Sequence, residues 1–232
     1  MQLDKAAVRR DLGLFLVEGP KLLEEALRGH HRVSSIVFDP QRWRPSVQHQ
    51  GASLWEVSAE MLERLSDVEQ SQGVVALVEP VAWPELSTLM RVLVCDHLAD
   101  PGNLGALMRT AWAAGLDGLV ALGGVDLFHP KVVRSSAGAI FHLPCYRIQG
   151  VDALVDFCKI ALAPRDGVDL YALDWPDRWA MVVGNEAHGI CPEVRASLDR
   201  LCTIPMQGGC ESLNAAVSAS IVLFEWRRRR GL

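Results

Sequence analysis

Leu201-Cys202-Thr203-Ile204-Pro205-Met206-Gln207-Gly208-Gly209-Cys210-Glu211-Ser212-Leu213-Asn214 carries an apolar, strand-like run into a proline, across a glycine-rich loop and into a helix. Ser212 fits an N-cap there, ahead of Leu213, Ala216, Val217, Ser220, Ile221 and Phe224 at helical spacing. Asn214 falls in the expected first turn, where asparagine is only a middling helix former. Such a junction offers backbone donors, a hydroxyl and an amide to a ligand above the helix N-terminus. Two similar junctions lie upstream, at Asp100-Pro101-Gly102-Asn103 and at Gly184-Asn185-Glu186. Three polar turns after three apolar strands predict one site.

The strands that feed these junctions are continuous apolar runs, Val92 to Cys95 and Met181 to Val183, as expected of parallel strands buried on both faces. Further strands are expected at Leu119–Leu122, Ile140–Leu143, Leu170–Leu173 and Leu201–Ile204, with helical patterns between most of them. This alternation predicts an α/β fold: a mostly parallel sheet with helices on both faces. Ligands of such sheets bind outside the carboxyl ends of the strands, where Asp96, Gly184 and Pro205 fall. Residues 1–80 read as a small separate α/β unit, with strands at Gly13–Val17, Val33–Phe38, Ala52–Val57 and Gly73–Val78 and helices at Pro20–Leu27 and Met61–Leu65. The two prolines of Glu79-Pro80-Val81-Ala82-Trp83-Pro84 mark a linker, taken as residues 81–90, before a second unit at 91–232.

Half of the 232 residues are apolar and 22% are charged, a globular composition. No apolar run approaches the roughly 20 residues of a membrane span, and the N-terminus lacks a long apolar signal core. The expected location is the cytoplasm, with no membrane partner. The six cysteines form no CxxC pair and the histidines no zinc-type cluster, so free thiols and no metal are expected. Residues 1–80 hold 9 basic against 12 acidic side chains, and residues 81–232 hold 14 against 16, so neither half has a basic excess. That argues against nonspecific, salt-driven nucleic-acid binding. Arg227-Arg228-Arg229-Arg230 is the one dense basic run, suited either to a solvated helix end or to a phosphate.

Taken singly, the junction residues have ordinary roles. Asn103 stands where an N-cap belongs. Arg109 lies about 140° around the helix from Leu104, off the apolar stripe of Leu104, Leu107, Met108 and Ala111, so it serves as a surface charge or as a planar fork for phosphate. Glu186 suits helix capping or a ligand group. No GxGxxG follows the first strand of the second unit, and no Walker loop or GxSxG elbow is present.

Taken together, Asn103-Leu104-Gly105 with Arg109-Thr110-Ala111, Val183-Gly184-Asn185-Glu186-Ala187-His188-Gly189, and Ile204-Pro205-Met206 with Glu211-Ser212-Leu213-Asn214-Ala215-Ala216-Val217 resemble, in order and spacing, the three motifs of the SpoU (TrmH-type) RNA 2'-O-ribose methyltransferases of the SPOUT superfamily. Ser135-Ser136-Ala137-Gly138-Ala139 resembles a further segment of that family. Phe15-Leu16-Val17-Glu18-Gly19 and Gln72-Gly73-Val74-Val75-Ala76 are similar to its L30e-like substrate-binding domain. The resemblance implies S-adenosyl-L-methionine as methyl donor, a C-terminal trefoil knot, a homodimer and a structured RNA substrate, ribosomal RNA rather than transfer RNA. It implies catalytic roles for Arg109, Asn103, Glu186, Ser212 and Asn214. It also implies cofactor contacts at Leu122, Gly123, Gly184, Asn185, Glu186, Ile204, Met206, Ser212 and Leu213. Two alternatives stay open: base methylation on the same fold, and a noncatalytic RNA-binding module.

Overall fold

The computed structural model describes residues 5–29, 31–45, 51–66, 70–208 and 212–231. Gly209, Cys210 and Glu211 of the third junction lie outside the described residues. The chain forms two compact units, Met1–Ala82 with Phe128–His142, and Trp83–Leu127 with Leu143–Leu232.

In the first unit, helix α1 (Ala6–Leu12) ends at Gly13, whose φ of 62° supplies the left-handed turn. There follow β1 (Phe15–Glu18), α2 (Pro20–Arg28), β2 (Arg32–Phe38), β3 (Ser53–Glu56), α3 (Ala59–Leu65) and β4 (Val74–Glu79). The sheet order is β1-β4-β2-β3, with β4 antiparallel to both neighbours and β3 parallel to β2. Phe15, Leu23, Ala26, Ile36, Leu62 and Val78 fill the core.

The second unit opens with β5 (Arg91–Asp96), α4 (Pro101–Ala114) and β6 (Gly118–Leu122). The chain then contributes α5 (Pro130–Ser135) to the first unit before resuming the second with β7 (Cys145–Ile148), β8 (Cys158–Leu162), β9 (Val168–Asp169), β10 (Trp179–Val183), α6 (Pro192–Ala196), β11 (Arg200–Thr203) and α7 (Ala215–Arg229). The seven strands run in the order β7-β6-β5-β10-β8-β11-β9, all pairs parallel. Every residue of β6 and β10 is buried, the expected consequence of helices covering both faces. Helices α4 and α7 pack together, with Leu104, Leu107, Met108 and Ala111 facing inward beside Ala219, Val222 and Leu223.

Several sequence expectations are corrected. The segment 128–142 packs with the first unit because Phe128 and Phe141 stack on Phe15, with ring centroids 4.6 and 6.2 Å away, and Arg134 pairs with Glu18 at 2.9 Å. The strand expected at Ile140–Leu143 is a 3₁₀ turn, Ala139–Phe141. The one expected at Leu170–Leu173 is likewise a 3₁₀ turn, because the Asp169 carboxylate accepts the Tyr171 N–H at 2.8 Å and ends the strand. Strand β8 escapes an apolar-run search because Lys159 interrupts it. There Lys159 is buried, its ammonium donating to the Phe157 carbonyl at 3.2 Å and lying 3.6 Å from Asp199.

The arginine run is mostly spent inside the protein. Arg227 donates to the Ala114 carbonyl at 3.1 Å. Arg228 forks onto Glu225 at 2.8 and 2.9 Å, and Arg229 reaches Glu225 and the carbonyls of Leu170, Tyr171 and Leu173. Hydrogen bonds from Arg228 and Arg229 hold the Glu225 carboxyl down at about 2. The five cysteines among the described residues are free, and burial pushes the Cys202 thiol up to about 11. No helix among the described residues is long and apolar enough to cross a membrane.

Candidate functional site

The three junctions meet above the carboxyl ends of β5, β10 and β11. At the first, helix α4 starts earlier than expected. Pro101 occupies its first turn, and Asp100, not Asn103, is the N-cap, accepting the Asn103 N–H at 2.8 Å. The Asn103 side chain is therefore released from capping. It donates from Nδ2 to Glu186 Oε1 at 2.7 Å and accepts at Oδ1 from Asn214 Nδ2 at 3.2 Å. The third junction is corrected in the same sense. Asn214, not Ser212, caps α7, its Oδ1 accepting the N–H groups of Ala216 at 2.9 Å and Val217 at 3.3 Å. One amide thus caps a helix with its oxygen and reaches the first junction with its nitrogen.

The second junction is braced by its own backbone. Asn185 exchanges two 2.9 Å hydrogen bonds with Gly189 and folds its Oδ1 onto the N–H groups of Ala187 and His188. Its Nδ2 donates to the His97 carbonyl at 2.7 Å, tying the loop to the end of β5. Gly184 allows this folding: a Cβ there would stand 2.5 Å from the Gly189 carbonyl carbon and 2.6 Å from the Ile190 nitrogen. Beneath, Asp96 is wholly buried, with one carboxylate oxygen 2.6 Å from His97 Nδ1 and the other accepting the Cys191 N–H at 2.7 Å. Asp96, His97 and Cys191 form a compact donor group, already joined by these hydrogen bonds.

Burial acts to raise the Glu186 carboxyl, but hydrogen bonds from Asn103 and from the backbone at Glu186, Ala99 and Asp100 outweigh it and leave it below the usual carboxylate range. Glu186 is thus held ionised, oriented by two elements.

A cavity of about 520 Å³ opens beside this network, within the usual size for a small-ligand pocket. Its walls include Leu162, Val183, Ile190, Leu198, Leu201 and Ile204, and its rim carries Gly184, Asn185, Glu186, Met206, Ser212, Leu213 and Asn214. Glu186 and Arg195 are the charged side chains among its described lining residues. The structure thus gathers Gly184, Asn185, Glu186, Ile204, Met206, Ser212, Leu213 and Asn214 around one pocket, with Asn103 bonded to its rim. It does not bring Leu122, Gly123 or Arg109 into that lining. Gly123, at φ 67°, lies against the His97 ring instead. Arg109 is exposed on α4, with no side-chain hydrogen bond or ion pair among the described residues. Arg195 escaped the sequence reading, since it lies in a short helix outside the three motifs. Asp96 falls at a strand end expected to face a ligand, but its bond to His97 has no signal in the sequence.

Residues 90–224 match the SpoU rRNA Methylase family, and residues 1–76 match the MRM3-like substrate binding domain. The chain is 32% identical over 226 residues to the 23S rRNA (guanosine(2553)-2'-O)-methyltransferase RlmP of Bacillus subtilis, covering 94% of this chain and 90% of that protein. Among solved structures, the SpoU methyltransferase AviRb of Streptomyces viridochromogenes in complex with the cofactor AdoMet superposes with a TM-score of 0.87 at 26% identity, covering 97% of this chain and 94% of that one. An AdoMet-bound rRNA methyltransferase of Sinorhizobium meliloti gives 0.86 at 28% identity, covering 99% and 92%.

Proposed function

The chain belongs to the SpoU rRNA methylase family, and on that premise we propose that it transfers a methyl group from S-adenosylmethionine to a ribose 2'-hydroxyl of structured RNA, ribosomal RNA rather than transfer RNA. The observation that carries this reading is the convergence of Asn103, Glu186 and Asn214, from three distant junctions, on the rim of one pocket.

The residues present fit the donor. Apolar walls from Leu198, Leu201 and Ile204 suit a purine face, and the missing Cβ at Gly184 permits close backbone approach. Arg195 supplies a cation for the donor's carboxylate, and Met206, Ser212 and Leu213 close the rim. Bound there, S-adenosylmethionine supplies a methyl on a sulfonium, already electrophilic. The protein's part is then alignment and proton removal. Asn103, fixed between Glu186 and Asn214, positions the ribose. Arg109, always charged, is a poor base. It holds the phosphate beside the target ribose and stabilises the developing alkoxide, while the proton leaves to phosphate or water.

A homodimer completes this reading. Trp112 on α4 and Val217 and Phe224 on α7 are exposed on the two helices that pack together, and Leu213 continues the apolar surface to the pocket rim. Arg109 lies one turn from Trp112, so a second copy seated on this face places Arg109 at the seam. This reading includes a C-terminal trefoil knot, as the family resemblance implies, and a cytoplasmic location.

Incubation with S-adenosylmethionine and ribosomal RNA, followed by alkaline hydrolysis, tests the function. A new hydrolysis-resistant linkage is expected, because a 2'-O-methyl group removes the attacking hydroxyl. A methylated base with unchanged hydrolysis overturns the ribose assignment. The Arg195 role has its own test. Arg195→Ala weakens S-adenosylmethionine binding but not 5'-methylthioadenosine binding, since the latter has no carboxylate.

A further inference from the structure

Asp96 ends β5 and His97 follows it. Neither belongs to the three motifs, and neither has a role in the reaction described above. Asp96 is wholly buried and uses both carboxylate oxygens: Oδ2 accepts the Cys191 N–H at 2.7 Å, and Oδ1 lies 2.6 Å from His97 Nδ1. A carboxylate only accepts, so the proton of the neutral His97 ring sits on Nδ1 and the lone pair on Nε2.

The ring is clamped but not covered. His97 has a φ of 51°, a left-handed conformation that glycine adopts freely and histidine only against strain. Backbone strain of this kind gathers at functional sites. The ring lies against Gly123, where a Cβ would stand 2.5 Å from its Cδ2 and Nε2 atoms. Its side chain is nevertheless 54% exposed, and Nε2 has no hydrogen-bond partner among the described residues. A buried carboxylate that fixes the tautomer, with an open basic nitrogen beyond it, is the arrangement of a proton acceptor.

This pair adjoins the network at the pocket rim. The His97 carbonyl accepts Asn185 Nδ2 at 2.7 Å, and two residues on, the Ala99 N–H meets Glu186 Oε2 at 3.3 Å. Asn185 and Glu186 stand on the rim, and Glu186 holds Asn103, the residue assigned above to the ribose. The other candidates are poorer bases. Hydrogen bonds from Asn103 and the backbone occupy Glu186, and Arg109 is always charged. We propose that His97 Nε2, backed by Asp96, takes the proton of the attacking 2'-hydroxyl, directly or through one water. This rests on the function proposed above and gives the proton a destination. The 2'-oxygen bonds the methyl carbon as the methyl–sulfur bond breaks, the electron pair of that bond staying on sulfur. His97 becomes an imidazolium, stabilised by the Asp96 carboxylate, and then returns the proton to solvent. The titratable and charged groups of the elements packed around the ring are Asp96 and Asp100 on its own segment, Glu186, His188 and Cys191 on the second junction, and Asp126 and Arg147 at the loop that carries Gly123. Among these, Asp96 bonds the ring.

The test is methylation of ribosomal RNA by the full chain under single turnover, across a range of pH. His97→Gly is the informative variant, because glycine suits a φ of 51° and the fold is kept. It is expected to bind S-adenosylmethionine like the parent in calorimetry and to methylate about a hundredfold more slowly. Added imidazole restores its rate, and His97→Gln, polar but without a base, is equally slow. The parent rate falls as pH is lowered and the ring takes up a proton, an arm that His97→Gly lacks. A methylating parent whose His97→Gly variant keeps the parent rate overturns this proposal alone. So does a slow variant that imidazole fails to restore and whose pH profile matches the parent's, since its defect is then structural. A parent that methylates no ribose overturns this proposal together with the function proposed above.

Discussion

Replacing Asn103 by aspartate tests whether the network at the pocket rim depends on a donor facing Glu186. In the parent, Asn103 Nδ2 donates to Glu186 Oε1 at 2.7 Å. A hydrogen bond to a charged group contributes about 1.5–3 kcal/mol, reduced here to about 1–2 because Glu186 is solvent-exposed. The substitution removes that bond and sets two carboxylates face to face. Their repulsion at about 4 Å is about 1 kcal/mol in water and about 4 at a protein surface. The new carboxylate stands in the first turn of α4, where the helix dipole returns only about 0.3–1 kcal/mol. Asn103→Asp is therefore expected to lose about 2–4 kcal/mol at pH 7, read as a lower midpoint in urea unfolding followed by tryptophan fluorescence. The pH dependence reverses. In the parent the Glu186 carboxyl is depressed, so its contribution is complete above about 4.5 and fades as pH falls. In the variant one carboxyl of the pair is raised, so the penalty is full at pH 7 and fades as pH falls into the carboxylate range. Adding Glu186→Gln supplies an amide donor to the new carboxylate and is expected to recover all but about 1 kcal/mol of the loss. A single variant as stable as the parent at pH 7, or a double variant no better than the single, refutes the reasoning.

Arg109→Ala is expected to abolish methylation while calorimetry shows near-normal S-adenosylmethionine binding, and retained turnover removes its catalytic role. Gly184→Ala pushes a methyl group against the backbone of Gly189 and Ile190; a loss of about 1–3 kcal/mol by urea unfolding and weaker donor binding are expected. Asn214→Ala removes the α7 cap at a cost of about 0.5–2 kcal/mol, and comparison of its melting temperature with that of Ser212→Ala checks the assignment, since Ser212 is not the cap. Glu225, held at about 2 by Arg228 and Arg229, contributes stability that is complete above its ordinary 4.5 and is lost as pH falls toward 2; thermal melts across that window should fall more steeply for the parent than for Glu225→Gln.

The sequence by itself determined the strands β5, β6, β10 and β11 of the second unit and the junctions that line its candidate site. Burial on both faces writes itself into a parallel strand as an unbroken apolar run, so Val92–Cys95, Leu119–Leu122 and Met181–Val183 fall inside observed strands. The three motifs identified the residues at their carboxyl ends before any contact was known. The runs that failed show the limit of that signal. Lys159 hides β8, and in Leu170–Leu173 only Leu170 and Leu173 are buried, from a 3₁₀ turn rather than a strand, while Tyr171 is exposed. The division of labour at the junctions was decided by tertiary structure alone. Asn103 and Ser212 both satisfy the local chemistry of a cap, yet Asp100 and Asn214 do the capping. That outcome follows from partners 83 and 111 residues from Asn103, which only the strand order brings within reach. The arginine run shows the same principle. Its charge suggests a phosphate site, but a single buried glutamate and four carbonyls engage three of its four arginines. Periodicity reports how deeply a residue is buried; which group it meets there depends on elements far away in the chain.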